Sequence, residues 1–213
     1  MLRVALTGGI ACGKSVIGQM LVAEGAYLLQ ADKLSHDLMR PGKPVYDEVV
    51  KLFGRGILQS DGEVDRSALA TIVFSDKNRL QELTAIVHPA VIKAQEEWMD
   101  ETGRQDPDAI AIVEAALIYE AGLAGHFDRV IAVVCKPDDK VARLAQRTGL
   151  DWERAAAEVE RRSAAQISDE EKARRADYVI ENSGTLAFAQ EQVRGLVAQL
   201  KPLASKRAAE SQR

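Results

Sequence analysis

The chain has 213 residues, 46% of them hydrophobic and 28% charged, which is enough apolar material for one packed α/β domain. A net charge of −4 leaves no broad basic field for non-specific nucleic-acid binding, and apolar runs that stop at about six residues fall far short of a membrane span. Two cysteines make no disulfide framework and fit a reducing cytoplasm, and an N-terminus that enters a strand at once is not expected to be a signal peptide.

The first predicted element is the apolar run Leu2–Leu6, a buried strand of a parallel sheet. Directly after it, Gly8-Gly9-Ile10-Ala11-Cys12-Gly13-Lys14-Ser15 fits the pattern G-x-x-x-x-G-K-[ST]. Val16, Ile17, Met20 and Leu21 then repeat at helical spacing up to Gly25. Strand, glycine loop and helix in that order predict a nucleoside triphosphate site. The glycines let the backbone curl so that successive N–H groups point inward at an anion, and the helix N-terminus adds its partial positive charge. Lys14 reaches the β- and γ-phosphates, and the Ser15 hydroxyl is a Mg²⁺ ligand. The alternative is a glycine-rich turn that happens to carry Lys-Ser, and the flanking elements speak against it.

Ala26–Gln30 reads as a second strand, with Asp32 just beyond its end. That rim of a parallel sheet is where ligands bind. Asp32 has two readings at this point: a carboxylate that takes the proton of a hydroxyl nucleophile, or the N-cap of the helix holding Leu34, Leu38 and Met39. Residues 41–103 carry helical patterns over Pro44–Phe53, Asp65–Phe74, Asn78–Val87 and Pro89–Met99, an insertion suited to an acceptor substrate. Proline at a first helical position accounts for Pro89, and a partly buried histidine satisfied by backbone is the plain reading of His88.

Ala109–Val113 is a third, fully apolar strand ending at Glu114, and the apolar segment after it ends at Glu120. Either acid suits a Mg²⁺-shell water, a substrate group or a helix terminus. Arg129–Val134 is a fourth strand, and Lys136-Pro137 opens a helix on which Arg143 and Arg147 share a face, by default a solvated one. Asp151–Gln166 is a charge-rich helix with Arg161, Arg162 and Gln166 near its end, the pattern of a mobile lid that brings arginines over a γ-phosphate. The polar stretch Ser168–Arg175 is too poor in apolar residues to be core. A fifth strand, Asp177–Ile180, leads into the loop Glu181-Asn182-Ser183-Gly184, and the helix Leu186–Leu200 packs on the sheet. Residues 205–213 are expected to fray.

Taken together, Leu6–Ser15, Ala31-Asp32, Ile86–Pro89, Ala116–Glu120, the Arg143/Arg147 helix, Arg162–Gln166 and Ala176–Gly184 make the chain similar to the dephospho-coenzyme A kinase family from about Leu2 to Leu200. The phosphate loop is common to many nucleotide kinases. The order and spacing of the other elements are far more specific. The resemblance implies an α/β fold: a P-loop NTPase three-layer sandwich with a five-stranded mainly parallel sheet. It implies one domain over 1–204, with a helical acceptor-binding insertion at about 41–103 and a helical lid at about 149–175.

The implied reaction is transfer from ATP, with Mg²⁺, to the ribose 3′-hydroxyl of dephospho-CoA. Asp32, Lys14 and Arg147 would be catalytic. Gly9, Ile10, Ala11, Cys12, Gly13, Lys14, Ser15, Val16, Arg143, Arg162, Asn182 and Gly184 would bind ATP, and Thr7, Asp32, His88 and Glu120 the acceptor. No nucleic-acid or membrane partner is expected, and a cytoplasmic monomer or small homo-oligomer is. Cys12 and Val16 depart from the family's usual serine and threonine but contribute mainly backbone N–H groups. Gln30 replaces the first of two acids, leaving Asp32 as the sole carboxylate there. A P-loop kinase for another small acceptor, such as a nucleoside or nucleotide, is the alternative. A guanine-specific switch would want N-K-x-D where Cys135-Lys136-Pro137-Asp138 stands.

Overall fold

The structure, a computed structural model, describes residues 1–211. The chain forms two compact units, one built from Met1–Leu29 and the chain from Met99 onward, the other from Gln30–Trp98.

Strands β1 (Leu2–Gly8), β2 (Tyr27–Gln30), β3 (Ile110–Glu114), β4 (Arg129–Val134) and β5 (Tyr178–Glu181) form a sheet in the order β2-β3-β1-β4-β5. β1 runs parallel to both β3 and β4, and β4 runs parallel to β5. Alternation along the strands supplies two apolar faces. Leu2, Val4 and Leu6 join Ile112, Ile131 and Val133 in the larger core, together with Ile17 and Leu21 of α1 (Lys14–Ala23). Ala5 and Val130 pack with Ile118 on the other side. The parallel strands bring Gly8, Glu114, Val134 and Glu181 to the same rim.

The helix α9 (Leu186–Ser211) covers the larger face through Val193, Leu196, Val197 and Leu200. It continues well past the predicted end at Leu200, so the frayed tail expected from residue 205 is instead helical through Ser211; residues 212 and 213 lie outside the described part. Ala204 and Ala208 are buried, and Arg207 pairs with Asp128 at 2.9 Å, which is why the last turns stay wound. Pro202 sits within this helix, but it and Ala198, whose carbonyl loses a partner there, are exposed to water.

The second unit consists of α2 (Ala31–Leu38), α3 (Pro44–Phe53), a 3₁₀ turn over Arg55–Ile57, α4 (Arg66–Ser75) and α5 (Lys77–Gln105), which runs on past Trp98. Val45, Val49, Ile57, Val64, Leu69 and Val73 form its core. Asp65 caps α4 by accepting from the N–H groups of Ser67 and Ala68 at 2.9 and 3.1 Å, as the sequence suggests. The two helices predicted around His88-Pro89 are one. Pro89 lies inside α5, where it and Ala85 are exposed, so solvent can take the freed carbonyl. His88 is exposed as well, which overturns its reading as a half-buried histidine held by backbone. Among the described residues no helix is long and apolar enough to cross a membrane.

Central burial makes the sheet sensitive to lost volume. Ile131, with no exposed surface, should lose about 2–5 kcal/mol of stability on replacement by alanine. Urea unfolding of Ile131→Ala checks this through a lower midpoint at unchanged slope.

Candidate active site

After β1 the chain turns through Gly8–Gly13 into α1, whose N-cap Gly13 is left-handed at φ 88. A Cβ at Gly13 would stand 2.3 Å from Asn182 Nδ2, and one at Gly9 would stand 2.3 Å from Asp169 Oδ1, so a side chain at either position would have to push that amide or carboxylate away from the loop. Ala11 also takes a left-handed φ of 54, a strained setting for a residue with a Cβ. Helix α1 has no side-chain cap, so no side chain of the loop competes with an anion for the positive end of its dipole.

The loop's carbonyls are held from outside. Lys14 Nζ donates to the carbonyls of Gly8 and Gly9, at 3.0 Å each. Arg143, on α6 (Pro137–Thr148), donates to Cys12 O at 3.2 Å and Ala11 O at 3.5 Å, and also to Asn182 O. Asn182 Nδ2 donates to Cys12 O at 2.8 Å, while its own N–H is bound by Val134 O. Arg143 therefore faces inward against the phosphate loop. The shared face predicted for Arg143 and Arg147 divides: Arg147 is exposed and Arg143 is half-buried.

Ser15 Oγ donates to Glu114 Oε1 at 2.6 Å, and Glu114, at the end of β3, is only 8% exposed. Two hard oxygen donors, one of them a buried carboxylate, meet beside the loop; that donor set suits Mg²⁺, which takes one or two carboxylates plus water and substrate phosphates. Thr7 is fully buried and donates to Ala116 O at 3.2 Å. Ser183 accepts from Lys136 N at 2.7 Å, fixing the 182–184 loop to the end of β4, and Gly184 lies against Phe188.

The predicted lid comprises α7 (Trp152–Ser163) and α8 (Asp169–Arg175). Arg161 and Arg162 both pair with Glu158 on α7, and the Arg161 guanidinium leads in holding that carboxyl down at about 2. Asp169 lies on the phosphate loop itself. Its Oδ2 accepts from Cys12 Sγ at 3.3 Å and pairs with Lys140 Nζ at 2.6 Å, both side chains being 14% exposed. Burial opposes the charge on Lys140, but the Asp169 carboxylate prevails and raises its pKa. Cys135 Sγ donates to Cys12 Sγ at 3.3 Å.

Lys172 is fully buried, contrary to the expectation that 168–175 has no place in the core. Its ammonium meets Ala116 O, Gln166 Oε1 and Glu120 Oε1 at 2.8, 3.1 and 3.2 Å. Glu120 also accepts from Ile167 N at 3.0 Å, so its carboxylate is taken up by the protein. Burial leads in raising the Tyr119 hydroxyl above its ordinary pKa, and Arg175 stacks over the Tyr119 ring at 5.8 Å. Sequence reasoning missed Lys140, Asp169 and Lys172, because nothing in their spacing marks them off from surface charges.

Asp32 and His88 belong to the second unit. Asp32 stands exposed in the first turn of α2, whose N-cap is Gln30, so the capping reading of Asp32 does not hold. Its charge there is favoured by the helix dipole. Ser35 Oγ donates to Asp32 O at 2.9 Å, leaving the carboxylate out of that bond.

Amides that receive an anion at the end of the central strand, with a hydroxyl and a carboxylate joined beside them, are what a P-loop kinase uses to hold a triphosphate, and that is the class this fold defines. Comparison with known proteins narrows it. The dephospho-CoA kinase family model matches residues 2–187. A protein of Aquifex aeolicus named dephospho-CoA kinase is 42% identical over 200 residues, covering 94% of this chain and 98% of that protein. A crystal structure from Thermus thermophilus superposes with a TM-score of 0.77 at 32% identity, over 93% of this chain and 97% of its own. The dephospho-CoA kinase of Campylobacter jejuni has the same fold, with a TM-score of 0.68 at 24% identity over 93% of this chain and 96% of its own. The chain belongs to the dephospho-CoA kinase family.

The crowding at Gly13 makes a direct test. Gly13→Ala should abolish the ATP-induced rise in Tm, since its Cβ would displace the Asn182 amide from Cys12 O. An unchanged ATP-induced shift would show that the loop tolerates the crowding.

Proposed function

We propose that this chain transfers the γ-phosphoryl group of ATP to the ribose 3′-hydroxyl of dephospho-CoA, giving coenzyme A and ADP. The reading is carried by one observation, a phosphate loop whose carbonyls are tied outward by Arg143, Asn182 and Lys14, in a chain that the family matches over most of its length. Backbone amides of Gly9–Val16, together with Lys14, take the triphosphate. Asn182 and Gly184 flank the adenine, with Asn182 also serving the loop. Arg147 and Arg162 offset charge on the transferring group, while Arg143 acts by shaping the loop.

Ser15 and Glu114 would hold Mg²⁺, which when bound neutralises charge on the β- and γ-phosphate oxygens. Asp32 orients the acceptor hydroxyl and accepts its proton. His88, exposed on α5, contacts the acceptor, and Thr7 steadies the mouth of the loop. Glu120 anchors the lid through Lys172. Catalysis is then mostly positioning and electrostatic stabilisation, in keeping with a loose transition state. The enzyme works in the cytoplasm as a monomer or small homo-oligomer, with no nucleic-acid or membrane partner.

Coupled ADP release with dephospho-CoA as acceptor tests the reaction. Turnover with nucleosides or nucleoside monophosphates and none with dephospho-CoA would reassign the acceptor. With dephospho-CoA, Asp32→Asn should lower kcat by about 10²–10⁴-fold if the carboxylate is the base. A kcat equal to that of the unaltered enzyme removes Asp32 from that role.

A further inference from the structure

Lys172 presents an ammonium with no exposed surface, and each of its three hydrogens has an acceptor: Ala116 O at 2.8 Å, Gln166 Oε1 at 3.1 Å and Glu120 Oε1 at 3.2 Å. Stability alone gives little reason for a charge here, because a buried ion pair can often be matched by a well-packed apolar pair. The acceptors are informative in another way. Ala116 O also receives the Thr7 hydroxyl from the end of β1, next to the phosphate loop. Gln166 follows the last turn of α7, and the neighbouring Ile167 N–H donates to the same Glu120 carboxylate. Residues 166, 167 and 172 thus converge on 116 and 120, where the chain leaves β3. The next contact along α8, Asp169 with Lys140 and Cys12, rests on the phosphate loop.

We propose that Lys172 is a positioning residue of the phosphoryl-transfer step: it clamps the exit of α7 to the rim of the sheet and so sets where Arg162 stands when the phosphoryl group moves. The proposal rests on the kinase reading above. The clamp acts on the lid, while the loop keeps its own donors, Arg143, Asn182 and Lys14. Loss of Lys172 therefore falls on kcat and spares the KM for ATP.

The test compares the unaltered enzyme with Lys172→Met and with the double variant Lys172→Met/Glu120→Gln, reading kcat, KM for ATP and Tm. Lys172→Met should lower kcat by roughly tenfold to a hundredfold, the scale of a misplaced catalytic group, with KM for ATP held within about twofold. Its Tm should fall because the Glu120 carboxylate, its side chain only 17% exposed, loses its cation and keeps only the Ile167 N–H, and should recover in the double variant, where that charge is gone. The double variant should keep the low kcat, and it carries the test if the single variant does not fold. Recovery of kcat together with Tm, a full kcat in Lys172→Met, or a KM for ATP rising in step would each overturn the proposal. If the unaltered enzyme shows no turnover with dephospho-CoA, the acceptor assignment fails on its own; the same kcat loss is then expected in acceptor-independent ATP hydrolysis, and its absence would overturn the role of Lys172.

Discussion

A loop whose amide hydrogens converge on one point must turn the carbonyls of the same peptides away from it, and each carbonyl then needs a donor from somewhere else. That constraint governs the rim of this sheet. Arg143 and Asn182 meet at Cys12 O from α6 and from the end of β5, two elements far apart in sequence, and Lys14 reaches back to Gly8 and Gly9. The guanidinium also holds Asn182 O, so the two donors brace one another. A charge-assisted bond of this kind is stronger than a neutral one and holds the loop's curvature before any ligand arrives. Preorganisation matters here because the expected chemistry depends on electrostatics already in place.

The lid is joined to this frame at two points of different character. Asp169 lies on Gly9, so close that a Cβ there would displace its carboxylate, and pairs with Lys140. Lys172 binds lower down, to the segment leaving β3. Between these anchors and the helix α6, α7 carries Arg161 and Arg162 on the surface, where both pair with Glu158 of the same helix. Exposed i,i+3 and i,i+4 pairs of this kind are weak. The design separates a firmly held base from arginines that can exchange partners at small cost.

What was legible in the sequence was what lies along it. The phosphate loop, the strands that flank it, the Asp65 cap and the parallel sheet follow from local pattern and short spacing, and the family resemblance follows from ordered motifs. What was not legible depends on distant segments meeting. Arg143 and Arg147 have the same spacing and chemistry, yet only one faces the loop, and nothing local says which. Lys172 sits in a run of charges that reads as solvent-facing, and its burial follows only once Ala116, Glu120 and Gln166 surround it. Pro89 reads as the start of a helix because its missing N–H is local, whereas the exposed carbonyl of Ala85 that lets α5 continue through it is not legible locally.

Cys12 shows how opposing local and tertiary effects are settled. It stands just before the start of α1 and close to Lys14, and both a helix N-terminus and a nearby cation favour a thiolate. Against them stand burial and the Asp169 carboxylate, which push the Cys12 thiol far up. The tertiary effects win because they act at contact distance on a thiol with no exposed surface, while Lys14 directs its ammonium to the carbonyls of Gly8 and Gly9. Cys12 therefore remains a protonated donor to Asp169, and its S–H supplies a small polar hydrogen without adding charge to a surface that must receive a triphosphate.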